Sequence, residues 1–487
     1  MRPSFWDRKT LPLLFPLIAF LFLLVYSCST SPIYAYQGFD SAIFKIIGQG
    51  ITQGKLPYVD LFDHKGPLIF FADALGLWLI PGRWGIFLLQ VLFLSVTLSL
   101  VFKTCCLITD RKGAFFSTLL LCIPMIDLIV EGNQCEEWCL PLISLCLYLS
   151  VRWTLERDKR LHPYWQSLVY GLCFALIFFV RPNDAVASVG SLMLGVFLLL
   201  LSRREYANAT INALVFLAGC AVGALPPIAS FAFHGALDEM FFGTIFYNLA
   251  YAEGVSLKEL GVGIIVIPVI VAGLLIFFGF RHKEYSRLNF LFIPYLLLTL
   301  LLIGKRDYYH YLIPLAPYIA ILFSMCLKFR MKSVVAVICV LFLAGSGYQH
   351  RFIFRLVSEK KAMVQLYSQT DRLFECVPDT ERNSVWNYNM HGMVERHPNI
   401  YSLIGVWTHS GYTPGNRIFV PFHVGNFGET ATFEYNRPEW AMAYVPDGKA
   451  DGFLGSDYDL VSRTDDNCVC TVALYRRNDG SSETVAE

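Results

Sequence analysis

The sequence predicts an all-α polytopic membrane domain followed by a small α/β or α+β domain, and three observations carry that prediction. Of 487 residues, 55% are hydrophobic and only 16% charged, at a mean hydropathy of +0.50; a soluble domain carries about a quarter charged residues. The missing charge is concentrated in long apolar runs joined by short polar loops. From Gln349 onward the composition changes to one rich in Asn, Asp, Gly, Tyr and Trp. The net charge of +1 argues neither for nor against nucleic acid, and with no basic or aromatic binding patch that class is set aside.

The first apolar run, Leu11 to Cys28, has Arg2, Arg8 and Lys9 on its N-terminal side. A cleaved signal peptide is the alternative, and Ser27-Cys28-Ser29 faintly resembles a lipoprotein cleavage site. The run is long enough to span, however, and others follow it, so an uncleaved first helix is expected. Further spans are predicted at 84–104, 113–130, 138–151, 166–180, 185–201, 208–232, 260–280, 288–303, 311–327 and 333–348, about eleven in all. Several are shorter than the ~20 residues that cross a hydrocarbon core.

Charge placement checks the count independently. With the N-terminus inside, Arg111-Lys112, Arg152/Arg157/Lys159/Arg160, Arg203-Arg204, Arg281/His282/Lys283/Arg287 and Lys328/Arg330/Lys332 all fall on the cytoplasmic side, as the positive-inside rule requires. Counting Leu68–Ile80 as a span would invert every later loop. That run is therefore read as a re-entrant or interfacial helix. The expected location is a bacterial cytoplasmic membrane, with the segments 40–67, 131–137, 181–184, 234–259 and 304–310 on its outer face.

Two domains follow: residues 1–350, with a first outer loop at 29–83, and an extracytoplasmic soluble domain at 351–487. Runs such as Arg417–Phe422, Trp440–Val445 and Val469–Tyr475 read as β-strands, Asp451–Asp466 as a loop, and the last ten residues as disordered. Most of the 14 cysteines lie in or beside apolar runs, where a thiol acts as a small hydrophobe. Cys135 and Cys139 flank two glutamates, a spacing open to a metal site, although packing at a helix start is the expected role. A disulfide from Cys376 to Cys468 or Cys470 is open in an oxidising compartment.

The chemistry-bearing residues gather in the outer segments. Asp40, in Gly38-Phe39-Asp40-Ser41, opens an amphipathic helix (42–49). It reads equally as a helix N-cap and as a general base for an acceptor hydroxyl. Asp60, Asp63, His64 and Lys65 precede the turn Gly66-Pro67. They can bind a divalent cation through Asp63 and His64, bind a phosphate through Lys65 and His64, or form a solvated loop. Glu136 and Glu137, in Glu131-Gly-Asn133-Gln-Cys-Glu-Glu, are a second acidic site or a helix cap. Arg181-Pro182-Asn183 and Asp184 join two spans with almost no loop, and an arginine at that depth pairs with something. Lys305-Arg306-Asp307-Tyr308-Tyr309-His310-Tyr311 departs from the positive-inside trend, which favours an anionic head group as its partner.

At these residues the chain resembles bacterial membrane glycosyltransferases of the GT-C superfamily, the group of the protein O-mannosyltransferases and the lipid A aminoarabinose transferases. The resemblance covers roughly residues 10–350. It rests on the Asp40 loop, Gly-Lys-Leu-Pro-Tyr-Val-Asp (54–60), Phe-Asp-His-Lys-Gly-Pro-Leu (62–68), Gly-Asn-Gln-Cys-Glu-Glu (132–137), Arg-Pro-Asn (181–183) and His-Tyr-Leu-Ile-Pro-Leu-Ala-Pro (310–317). It implies transfer of one sugar from a polyprenyl-phosphate donor to an envelope glycan, lipid or protein at the outer face, with inversion. It further implies Asp40 as catalytic base, Asp63 with Glu136 and Glu137 as acidic-site residues, and Lys65 as a phosphate ligand. His64, Arg181, Lys305, Arg306 and His310 are the further cations that this chemistry offers the leaving phosphate. His64 interrupts the family's acid-Lys pattern and Gly66 replaces its first proline. The metal is accordingly unassigned, with a divalent cation left open as cofactor.

No Walker motif or Gly-rich nucleotide loop is present, which disfavours a nucleotide-sugar enzyme or an ATP-driven pump. A flippase for lipid-linked sugars would place polar groups along a path through the spans, whereas here they collect on one side. An O-antigen-ligase-like glycan transferase would carry its basic residues in one long outer loop. A structural membrane protein would leave the Asp40 cluster unexplained.

Overall fold

The computed structural model describes residues 11–36, 38–59, 61, 63–129, 131–249, 262–302, 308–378, 381, 385–388, 439–465, 468 and 470–478. The membrane part is a bundle of helices α1 (Phe15–Tyr26), α2 (Phe39–Thr52), α3 (Pro67–Leu79), α4 (Arg83–Cys105), α5 (Arg111–Ile129), α6 (Cys135–Leu155), α7 (Tyr164–Phe178), α8 (Pro182–Ser202), α9 (Tyr206–Phe233), α10 (Leu237–Phe241), α11 (Val262–Arg281), α12 (Lys283–Leu302), α13 (Tyr309–Lys328) and α14 (Lys332–Gly345). Among the described residues, eight of these are long and apolar enough to cross a membrane. A ninth span forms if α14 is joined to the start of α15 (Gly347–Glu375) across a 43° bend. The shorter α1 and α7 occupy the two remaining predicted spans, so each of the eleven runs is helical. This is a multi-pass membrane protein.

The run predicted not to cross is α3. It has thirteen residues, and it lies between α2 and α4. At Gly48 the backbones of α2 and α3 approach so closely that a Cβ would stand 2.8 Å from the Ala74 nitrogen. The amphipathic α2 and the apolar α3 therefore form one unit, and α2 begins three residues earlier than the sequence pattern suggests.

The C-terminal part is a four-stranded sheet in the order β1-β2-β4-β3, from Val385–Tyr388, Trp440–Val445, Tyr458–Arg463 and Thr471–Arg477. β1 runs parallel to β2, and β4 is antiparallel to both β2 and β3. β2 matches its prediction residue for residue. β3 corrects the reading of Asp451–Asp466 as a loop. Its charged residues occupy the outward positions of an edge strand while Tyr458 packs inward, an alternation masked by the surrounding Asp and Gly. The predicted strand Arg417–Phe422 and the last nine residues lie outside the described ones. Cys376, Cys468 and Cys470 are free thiols, so the disulfide is not formed.

Two hydrophobic cores result. One fills the bundle. The other joins the sheet and Leu356, Leu366 and Leu373 of α15 to Cys28, Tyr34, Ala35 and Tyr36 of the first outer segment. The C-terminal domain thus packs directly on the chain that leads into Asp40.

Candidate active site

The segment between α1 and α2 is pinned from both sides. Arg83 at the start of α4 donates to the carbonyls of Ser29 (3.1 Å) and Ala35 (2.7 Å). The Ser29 amide and hydroxyl both donate to the Glu131 carbonyl at 2.9 Å, and Tyr36 donates to the Glu131 carboxylate at 2.5 Å. Gly38 then turns the chain at φ 70°, where a Cβ would lie 2.2 Å from Ser29 Oγ. Only glycine fits that position, and it delivers Asp40 into the first turn of α2.

Asp40 is not the N-cap; Gly38 holds that place. The Asp40 carboxylate is half-buried and makes no hydrogen bond or ion pair with the described residues. The N-cap role is thereby corrected; in the first turn the carboxylate still suits the positive end of the helix dipole.

Ser41, the next residue, accepts at 2.9 Å from Asn133 Nδ2, which also donates to buried Asp73 Oδ2 at 3.1 Å. Trp138 of α6 donates to Asn133 Oδ1 at 2.9 Å. Asn133 adopts φ 61° to reach all three, so α2, α3 and α6 share one polar hub beneath Asp40. Burial pushes the Asp73 carboxyl up to about 7, against hydrogen bonding from Asn133 and the nearby Lys45 charge. Sequence reading missed Asp73 because it stands inside an apolar run; an acid in such a run was the available signal.

The loop from Gly54 to Gly66 folds back over α2. Tyr58 is held at φ 68° with its ring against Phe70 and Phe231, and its hydroxyl donates to the Lys65 carbonyl at 2.6 Å. Asn248 donates to the His64 carbonyl at 2.7 Å. The loop then docks on the end of α7: Gly66 N donates to Val180 O at 3.1 Å and Leu68 N to Phe179 O at 3.0 Å. A Cβ on Gly66 would meet Phe179 O at 2.2 Å, so this docking requires glycine there. Flanking this pairing, Lys65 and Arg181 share Asp40, Tyr311 and His310 as electrostatic neighbours.

Asp63, His64 and Lys65 form a chain: His64 Nδ1 is 3.1 Å from Asp63, and Lys65 Nζ is 3.4 Å from His64 Nε2 and 4.0 Å from Asp63. Burial and the Lys65 charge hold His64 below its usual range, so it stays neutral at pH 7. Burial works against the Lys65 ammonium, but the carboxylates of Asp63 and Asp40 outweigh it and raise its pKa. Lys65 therefore remains charged, with Asp40 within electrostatic reach.

The two glutamates part company. Glu136, 2% exposed, pairs with Arg181. Glu137 instead closes a capping box on Gln134 and accepts from Gln90 of α4 at 3.1 Å, so it belongs to the helix end rather than to an acidic site. Arg181 also faces Asp184 at 3.5 Å and lies over the Tyr311 ring at 3.9 Å. His310 packs on the same tyrosine, 4.7 Å between centroids. Lys305 and Arg306 lie outside the described residues, as does Asp60; the described chain resumes at Tyr308.

Among the described residues, no three His, Cys, Asp or Glu side chains are placed to hold a metal ion. Asp63 is occupied with His64 and Lys65, and Cys135 and Cys139 are buried free thiols. The described residues do not fit the divalent cation left open above.

No protein-family profile and no curated protein matches the chain. Solved structures do. ArnT from Cupriavidus metallidurans bound to undecaprenyl phosphate aligns with a TM-score of 0.58 at 14% identity, over 97% of this chain and 99% of that one. The same protein in its apo state gives 0.53 at 13%, over 95% and 97%. A looser likeness, TM-score 0.44 at 12% identity over 90% of this chain and 70% of that one, runs to the archaeal oligosaccharyltransferase AglB from Archaeoglobus fulgidus. The chain shares its fold with ArnT over 97% of its length.

Proposed function

We propose that this protein transfers a single sugar from a polyprenyl-phosphate donor to an envelope glycan, lipid or protein, with inversion. The carrying observation is Asp40: a carboxylate without a described partner, held in a fixed helix turn within electrostatic reach of Lys65, in the fold of a protein that binds undecaprenyl phosphate. Asp40 takes the proton of the acceptor hydroxyl as the new C–O bond forms. The bond from the anomeric carbon to phosphate breaks, and its electron pair leaves with the lipid phosphate, whose charge Lys65 receives.

The charge balance favours a further cationic contribution. Lys65 and Arg181 stand against Asp40, Asp63, Glu136 and Asp184. Arg181 is already taken up by two of those acids. Lys305 and Arg306, in the connection between α12 and α13, supply the two positive charges a phosphate needs when it approaches such a site.

The test is donor cleavage by the purified full chain in lipid nanodiscs. Undecaprenyl phosphates bearing different hexoses, pentoses and amino sugars are the donors, with extracted envelope as acceptor. At least one should release undecaprenyl phosphate and label the extract; release from none would reject the reading. We place the Asp40 end outside because the opposite end is basic, and a reporter fused after Gln53 tests that orientation directly.

A further inference from the structure

The turn into Asp40 requires Gly38, and that same residue is its softest point, because glycine takes up left-handed and right-handed backbone with similar ease. One side chain closes on it. Glu131 accepts from the Tyr36 hydroxyl at 2.5 Å through Oε1, two residues before Gly38. Its Oε2 lies so near that a Cβ on Gly38 would stand 3.0 Å away. Both partners are fixed from outside the turn. Tyr36 is 1% exposed, with its ring edge-on to Phe352 of α15 at 5.4 Å and 84°. Glu131 is held by its own carbonyl, which accepts from both the amide and the hydroxyl of Ser29. Gly132 then follows at φ 85°, where a Cβ would lie 2.1 Å from Ser27 Oγ, and Asn133 at φ 61°. The segment 131–133 thus grips the first turn of α2 from both sides, Glu131 ahead of Asp40 and Asn133 behind it at Ser41.

We infer that Tyr36 and Glu131 are positioning residues for the catalytic base: their hydrogen bond locks the Gly38 turn and so sets where the Asp40 carboxylate meets the acceptor hydroxyl. The inference rests on the proposed role of Asp40 and extends it to two side chains that touch no reacting atom. The bonds that Arg83 makes to Ser29 and Ala35 end before Gly38, so the Tyr36–Glu131 bond carries the restraint across it. A phenol–carboxylate bond of this length is charge-assisted and belongs to the stronger kinds. Displacing a catalytic group by about 1 Å can cost about a hundredfold in rate, so a soft turn directly before the base needs such a lock. Through Phe352, the same bond ties the base to the core of the C-terminal domain.

Transfer kinetics of the full chain in nanodiscs test this, with the melting temperature of each variant measured alongside. Tyr36→Phe removes the hydroxyl and keeps the ring on Phe352. It should lower the maximal rate about tenfold or more, the scale of a misplaced catalytic group, while donor KM stays within twofold. Glu131→Ala leaves the carbonyl that holds Ser29 and should do the same. The double variant should be no slower than either alone, because both changes break one bond. Glu131→Gln keeps an acceptor for Tyr36 and should recover part of the rate lost in the alanine variant. Unchanged rates in Tyr36→Phe and Glu131→Ala overturn the inference, and so does glutamine as slow as alanine. A donor KM that rises in step with the falling rate, or folded protein lost in both variants, also overturns it, since the bond would then only hold the fold. Asp40→Asn in the same assay separates the failures. If it is slow while Tyr36→Phe and Glu131→Ala are normal, the positioning role alone falls. If Asp40→Asn transfers normally, or wild type transfers from no donor, the reading of Asp40 falls and this inference with it.

Discussion

The two ends of the bundle handle charge in opposite ways. At one end, where α1, α5 and α7 finish and α6, α8 and α13 begin, acids and bases are drawn inward and set against one another: Asp63, Glu136 and Asp184 are all buried. At the other end, arginines are exposed or half-buried and spend their donors on chain ends. Arg203 donates to the carbonyls of Lys159 and Arg160, Arg157 to that of Lys283, and Arg160 pairs with Glu205. The second end is what a solvated, basic membrane face requires. The first is expensive to build, and its cost has a purpose only if the groups act on something. The largest test of that contrast is Asp40→Asn. Asparagine preserves the helix turn but cannot take a proton, so transfer should fall by about a hundredfold or more, with unchanged levels in the membrane. A variant that transfers normally would place the base elsewhere.

Next in size comes the docking of the 63–66 loop. Gly66→Ala drives a Cβ into the Phe179 carbonyl, and the loop must lift from α7. Lys65 moves with it. The donor KM should rise about tenfold or more while the acceptor KM stays within twofold. Equal changes in both would mean that the loop does not hold the donor.

Much of this was legible in the chain. The helical spans and the grouping of polar residues at one end follow from hydropathy and charge, which act locally and leave a periodic trace. The pairing of Glu136 with Arg181 and the diversion of Glu137 to Gln90 left none, because adjacent glutamates on a helix point about 100° apart and tertiary packing alone selects which faces the site. Asn133 as a hub and the docking of Gly66 on Phe179 were equally hidden, since each depends on which helices meet; Asp73 did leave a signal, as an acid inside an apolar run. β3 was missed because its polar edge hides the alternation.

Asp73 gives a smaller, pH-dependent effect. Its folded-state carboxyl is raised to about 7, above the ~3.9 of an unfolded aspartate. Between those values the folded protein holds a proton that the unfolded chain has lost, so stability falls as pH rises toward 7. Asp73→Asn removes that dependence while keeping an acceptor for Asn133. Its melting temperature relative to wild type should therefore climb from pH 5 to pH 7.5 and then level off. A flat difference would mean that Asp73 is ionised throughout, held by the Lys45 charge.

The smallest effect is expected at the basic end. Arg160 is largely exposed, with 70% of its side chain accessible, and its ion pair with Glu205 spans 2.9 Å. Such surface pairs are worth about 0–1 kcal/mol and are screened by salt. Arg160→Ala should leave donor and acceptor KM and the maximal rate within twofold, and should shift the melting temperature by no more than a few degrees. That shift should vanish in about 0.5 M salt, where charges beyond a few ångströms no longer interact. The contrast between the ends depends on this silence. If Arg160→Ala instead lowered transfer tenfold at unchanged stability, function would not be confined to the Asp40 end. A path for the lipid-linked sugar through the bundle, as in a transporter, would then become the better account.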